Sequence, residues 1–77
     1  MTQHSTNQFI ESDVEKLGGT PVFRGTRVPI KNLFDYLEAG DNLEIFLADF
    51  PTVSREQAIG VLKLYKVKLL QEYEIAA

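Results

Sequence analysis

Residues 20–30 read Thr-Pro-Val-Phe-Arg-Gly-Thr-Arg-Val-Pro-Ile, and this stretch decides the fold. Two prolines bracket β-branched and aromatic residues that surround a central Arg24-Gly25 pair. We expect residues 21–23 and 26–28 to form two short arms joined by a turn at this pair, since glycine adopts a positive φ at little steric cost. Proline cannot donate a ladder hydrogen bond, so the arms are predicted to be short or to lie at a sheet edge.

The segment before this hairpin gives shorter signals. Phe9 and Ile10 are predicted to start a short strand. Residues 12–15 have the spacing of a capping box, which predicts one helical turn that ends at the glycine pair of residues 18–19. Residues 1–8 are polar and are predicted to form a disordered tail.

Three helices are predicted after the hairpin. The first ends at Gly40, and the second opens at a capping box in residues 41–44. Pro51 stops the second helix, because proline lacks an amide proton and clashes with the preceding turn. The third opens at a capping box in residues 54–57 and is expected to run to about Tyr73.

The connection around Pro51 gives the last two helices the spacing of a helix–turn–helix, and a plain helical hairpin with no ligand is the alternative. The expected fold is α+β and mostly α, with a short N-terminal β-hairpin followed by a three-helix, helix–turn–helix-like bundle. The domain is predicted to span residues 9–77, with the β element in 9–29 and the bundle in 30–77.

Composition excludes several classes of site. The chain of 77 residues has no cysteine and one histidine, so a disulfide or a thiolate metal site is ruled out and no cofactor is expected. No phosphate-binding glycine motif occurs. No apolar run approaches the roughly 18 residues of a membrane span. We therefore expect a cytoplasmic binding module and not an enzyme.

The charge of −3 is unevenly distributed. Residues 20–31 carry only basic charges, whereas residues 32–50 carry five acids and no basic residue. Polar and basic side chains at the start of the third helix and on the hairpin are candidates for contact with DNA phosphates or base edges. These candidates are Thr52, Ser54, Arg55, Gln57, Arg24, Arg27 and Lys31. The alternatives are a solvated first-turn residue for Arg55 and a structural salt bridge for Arg27.

The third helix carries more apolar residues than one face can hold. At about 100° per residue, one face is expected to meet the core. It comprises Ala58, Val61, Leu62, Tyr65, Leu69 and Tyr73. A second apolar group falls outside that arc and comprises Ile59, Leu64, Val67 and Leu70. We predict that the second half of this helix packs on another chain, in a homodimer or against a partner. The alternative is that the strand layer covers the second face.

Two blocks of sequence resemble a known family. Residues 18–30, Gly-Gly-Thr-Pro-Val-Phe-Arg-Gly-Thr-Arg-Val-Pro-Ile, and residues 49–58, Asp-Phe-Pro-Thr-Val-Ser-Arg-Glu-Gln-Ala, are similar to the two signature blocks of the bacterial domain of unknown function 433. Residues 37–41, Leu-Glu-Ala-Gly-Asp, fit its pattern between them. The resemblance covers about residues 9–70.

The resemblance implies a function as well as a fold. Members are commonly described as antitoxins of type II toxin–antitoxin pairs. Such a protein would neutralise a PIN-like toxin protein, a nuclease, and would bind its own operator DNA as a dimer. The alternative is a protein-interaction module that binds a partner without contacting DNA, in which an acidic surface mimics phosphate.

Overall fold

The computed structural model describes residues 8–12, 14–15 and 17–74. Its elements, in chain order, are strand β1 (Ile10–Glu11), a short 3-10 helix (Leu17–Gly19), strand β2 (Val22–Phe23) and the helices α1 (Ile30–Glu38), α2 (Leu43–Asp49) and α3 (Arg55–Glu74). The predicted class, α+β and mostly α, is confirmed. Of the predicted tail at residues 1–8, all but Gln8 lies outside the described residues.

The turn at Arg24-Gly25 forms as the sequence predicts. The Thr26 amide donates to the Phe23 carbonyl at 2.9 Å, and Gly25 takes a φ of 80°, the value that a type II turn requires at its third residue. The Phe23 amide donates to the Val28 carbonyl at 3.0 Å, which joins the two predicted arms.

The sheet extends beyond this hairpin. Strand β1 pairs antiparallel with β2, with Ile10 opposite Phe23, and Val22 bridges Pro29 on the other side of β2. Strand β2 therefore lies between β1 and the second arm, and at two residues it is short, as the prolines predicted. The proline at 29 lies in the outer arm, where a missing amide proton interrupts no ladder.

The segment between the two strands differs from the prediction. The described residues of 12–15 form no helical turn, and Val14 and Glu15 lie in a simple turn. The Ser12 hydroxyl donates to the Gly19 carbonyl at 2.6 Å and does not cap a helix. The glycine pair does take positive φ, 63° at Gly18 and 88° at Gly19, as predicted.

Side-chain caps fix the starts of α2 and α3. The Asn42 side chain accepts from the Ile45 amide at 3.0 Å, so the cap lies one residue later than the predicted Asp41. At α3, the Gln57 amide donates to the Ser54 hydroxyl and the Ser54 amide donates to the Gln57 side chain, both at 3.0 Å. This reciprocal pair is the predicted capping box.

Aromatic rings fill the core between the hairpin and the helices. Phe23 of β2 and Phe46 of α2 are fully buried, with ring centroids 5.9 Å apart. Tyr36 of α1 meets Phe46 edge-on at 5.5 Å and Phe50 at 5.6 Å. These contacts dock β2, α1 and α2 onto one another, and Val61 of α3 is fully buried in the same core.

The core contacts only the first half of α3. Ala58 and Val61 are fully buried, but every residue from 63 to 73 is exposed. The prediction that Leu69 and Tyr73 meet the core is wrong, since they are 55% and 72% exposed. Helical periodicity identified the face correctly, but the other elements do not reach along a helix that is about 30 Å long.

Candidate nucleic-acid and partner interfaces

Gln57 fastens the hairpin to the start of α3. Its carboxamide oxygen accepts from the Ser54 amide, and its nitrogen donates to the Arg24 carbonyl at 2.8 Å. The side chain thus completes the helix cap and holds the tip of the β-turn at the same time. These two hydrogen bonds use one of the two N–H donors and one of the two oxygen lone pairs of the carboxamide, and they fix its orientation within the chain.

The other predicted DNA residues at the start of α3 are also engaged or flanked by acid. The Ser54 hydroxyl accepts from the Gln57 amide. Arg55 forms an ion pair with Glu44 of α2, and both side chains are exposed. Thr52 is exposed in the turn that precedes the helix. An exposed ion pair contributes little to stability, so Arg55 can exchange Glu44 for another anion at low cost.

Arg27 of the hairpin and Lys31 of α1 both have acidic residues in their surroundings. Arg27 is exposed and lines a surface groove together with Glu11, Glu15 and Thr52. Lys31 on α1 contacts Asp35 at 2.6 Å, and the hydrogen bond to this carboxylate raises the pKa of Lys31. Acidic neighbours reduce the positive potential that phosphate binding needs.

The structure thus divides the seven predicted DNA residues into groups. Arg24 and Gln57 touch through the backbone carbonyl, and Arg27 and Thr52 share one groove. Lys31 lies on α1 and forms an ion pair with Asp35, one turn later in the same helix. Lys31 therefore stands apart, and the other six lie in the hairpin or at the start of α3.

The predicted partner residues lie along the outer side of α3. Ile59 is half-buried, whereas Leu64, Val67 and Leu70 are all more than 40% exposed. Three of the four line an open apolar groove that also contains Phe9. The strand layer therefore covers the second face only at its beginning, and the rest of that face stays exposed.

A contact between Phe9 and Gly60 accounts for this partial cover. A Cβ at Gly60 would lie 2.4 Å from the Phe9 ring, so the ring fits only because α3 has a glycine there. Gly60 was not among the residues predicted from the sequence to make a contact. A glycine inside a long helix, where it costs about 1 kcal/mol relative to alanine, was the available signal of a close approach.

Tyr36, like Lys31, makes a side-chain hydrogen bond to a carboxylate that raises its pKa. Its hydroxyl donates to the Asp49 carboxylate at 2.6 Å and joins the exposed ends of α1 and α2. This hydrogen bond raises the pKa of the Tyr36 phenol. Within the part of the chain that the structure describes, no group of histidine, aspartate or glutamate side chains is arranged to hold a metal ion. None of the described helices is apolar over a length that would cross a bilayer.

Comparison with known proteins supports the family resemblance. The family model described as "Protein of unknown function (DUF433)" matches residues 10–65. The chain belongs to the DUF433 family. Uncharacterized protein y4eO of Sinorhizobium fredii (strain NBRC 101917 / NGR234) is similar to it, with 36% identity over 53 residues. The match covers 69% of this chain and 24% of that relative, so the chain spans about a quarter of the relative's length. No solved structure matches.

The end of the DUF433 match coincides with a structural boundary. It stops at Tyr65, whose ring meets Phe34 of α1 edge-on at 5.5 Å. Residues 66–74 continue α3 beyond both the match and the core, and those up to Tyr73 are exposed. We call this segment the α3 extension. The extension carries large apolar residues, as a packed helix does, but these residues are exposed.

Proposed function

We propose that this DUF433 protein is the antitoxin of a type II toxin–antitoxin pair, which neutralises a PIN-like nuclease toxin in the cytoplasm and binds its own operator DNA as a dimer. The observation that carries the proposal is the α3 extension, whose large apolar side chains are exposed on two sides of the helix. A helix that is apolar on two sides is normally buried in a core or against another chain.

Two apolar stripes begin just before the α3 extension and continue along it. The core-side stripe consists of Tyr65, Leu69 and Tyr73, and the outer stripe consists of Leu64, Val67 and Leu70. At about 100° per residue, the stripes lie on nearly opposite sides of the helix. Anchors spaced three or four residues apart are the pattern by which an amphipathic helix binds a hydrophobic groove. We assign the core-side stripe to the toxin.

The main test is co-expression with the adjacent gene. We expect that gene to be toxic alone and harmless together with this chain. The substitution Leu69→Glu should abolish both the rescue and the co-purification of the two proteins. The control is Gln71→Glu, which adds the same charge at an exposed polar position two residues away. Rescue by Leu69→Glu that equals wild-type rescue would contradict the assignment of the core-side stripe.

A second candidate function is an interaction module that binds its partner without contacting DNA. The observation in its favour is that Ser54 and Gln57 are used in the capping box, while Arg55 is paired with Glu44. These are three of the four candidates at the start of α3. The acidic residues near them would also repel DNA phosphates.

The two functions are separated by an anisotropy titration with the DNA upstream of the gene, at low and at moderate salt. If the operator is bound, Arg27→Ala should weaken binding and reduce its salt dependence by roughly one counterion. Co-purification with the toxin and no DNA binding, measured with and without the toxin, would select the interaction module.

A further inference from the structure

We infer that the outer stripe of α3 pairs with the outer stripe of a second copy, and that the two helices run antiparallel. The inference deepens the dimer of the proposed function and rests on that part of it. It identifies which surface self-associates, in which direction and in which register.

The outer stripe begins on the body of the protein and continues along the extension. At its start, Phe9 and Ile59 line an apolar groove with Leu64 and Val67. Farther along, Leu70 continues the same side of the helix and is 43% exposed. The stripe is therefore continuous from the strand layer to the extension.

Charge selects a second copy as the occupant and sets its direction. The residues before Leu69 in this part of α3 include three bases, Lys63, Lys66 and Lys68. Those after it include two acids, Glu72 and Glu74. A parallel copy would place lysines opposite lysines. An antiparallel copy places the basic segment of each helix beside the acidic segment of the other, and the two-fold symmetry repeats this pairing.

One register satisfies both the apolar and the charged residues. Val67 lies opposite Leu70 of the second copy, and the reciprocal contact follows from symmetry. The same register places Lys63 opposite Glu74 of the second copy, again twice. The pairing closes on itself, so it produces a dimer and not a filament. The core-side stripe remains on the outside of the pair and is accessible to a toxin.

The first experiment measures the solution mass of the purified full chain, with no toxin present. The expected mass is twice that of the 8.7 kDa chain. Val67→Glu should reduce the mass to that of one chain, whereas Leu69→Glu, on the opposite stripe, should leave it doubled. A wild-type chain of single mass, or equal loss from both variants, would overturn the inference.

The second experiment tests register and direction by reversing the charge at Lys63 or at Glu74. The single variants Lys63→Glu and Glu74→Lys should each dimerise more weakly than the wild-type chain, because like charges meet at both ends. An equimolar mixture of the two should recover the doubled mass, since each chain then supplies the charge that the other needs. A mixture that stays at single mass would overturn the antiparallel register.

These outcomes are independent of the toxin. If Val67→Glu is monomeric and still captures the toxin, the inference and the antitoxin proposal both stand. If the wild-type chain is a monomer that captures the toxin, the inference fails and the antitoxin role survives. If the chain dimerises in the stated register but the adjacent gene is harmless, the antitoxin role fails and the inference survives.

Discussion

The two halves of α3 carry similar apolar residues in opposite environments. Ala58 and Val61, in the first half, are fully buried, whereas Leu69 and Tyr73, in the second, are mostly exposed. All four belong to one face of one helix. The difference is set by how far the hairpin, α1 and α2 extend along the helix. An apolar pattern therefore predicts that a helix face is buried. The length of the neighbouring elements determines whether this chain itself buries that face.

The test with the largest expected effect compares a core side chain with one in the α3 extension. Phe46→Ala removes a fully buried ring that contacts Phe23, Tyr36 and Phe50, and should lower the free energy of unfolding by about 3–5 kcal/mol. Leu69→Ala should change it by about 0.5 kcal/mol or less. Urea denaturation followed by circular dichroism measures both. A loss of several kcal/mol from Leu69→Ala would mean that the body does cover the extension.

The next test concerns the point where the strand layer meets α3. Gly60→Ala gains about 1 kcal/mol of helix propensity, but its methyl group would collide with the Phe9 ring, and overpacking of this kind costs about 1–3 kcal/mol. We expect a net loss of about 1 kcal/mol. With Phe9→Ala in the background, the same substitution should become stabilising. A double-mutant cycle measures the change of sign, and additive effects would show that the ring and the glycine are not coupled.

A smaller effect is expected at the start of the helix. Ser54→Ala removes the acceptor for the Gln57 amide and should cost about 1 kcal/mol of stability. Glu72→Ala, in the extension, should have no measurable effect in the same assay. If Ser54→Ala leaves stability unchanged but abolishes DNA binding, the hydroxyl is a DNA contact and its cap is dispensable.

The smallest expected effect is a shift in the pH titration of Tyr36. The hydrogen bond to Asp49 raises the pKa of Tyr36 above its ordinary value near 10. The raised pKa means that the contact stabilises the fold below the ordinary phenol pKa and that this contribution disappears as pH rises through the higher, folded value. Absorbance at 295 nm in a Tyr65→Phe, Tyr73→Phe background reports Tyr36 alone. Asp49→Asn should shift its titration to lower pH, and an unshifted curve would contradict the contact.

The parts of the fold that follow from local chemistry were predictable from sequence. The glycine of the Arg24-Gly25 turn and the capping box at residues 54–57 act within a few residues of themselves, and both predictions are confirmed. The cap of α2 was misplaced by one residue because Asp41 and Asn42 are both good caps. Which one acts depends on the direction in which the chain leaves α1, and that direction is set by tertiary packing.

Contacts between distant residues were not predictable in the same way. Phe9 and Gly60 are far apart in sequence, and a pattern within one element cannot report that a ring from another element lies against it. The same limit applies to the candidate site. Periodicity identified the apolar residues of α3 but assigned two of them to a core that does not extend so far. The DNA residues were chosen by type, and the hydrogen bonds that occupy several of them became visible only in three dimensions.

The carboxamide of Gln57 has a consequence for how the domain opens. One side chain holds the first turn of α3 and the β-turn at Arg24, so a fluctuation that frees either partner releases the other. Backbone amides near the hairpin tip and those at the beginning of the long helix therefore belong to a single cooperative unit and exchange their hydrogens with solvent together. The amides of the α3 extension exchange ahead of them, through fraying that leaves this unit closed.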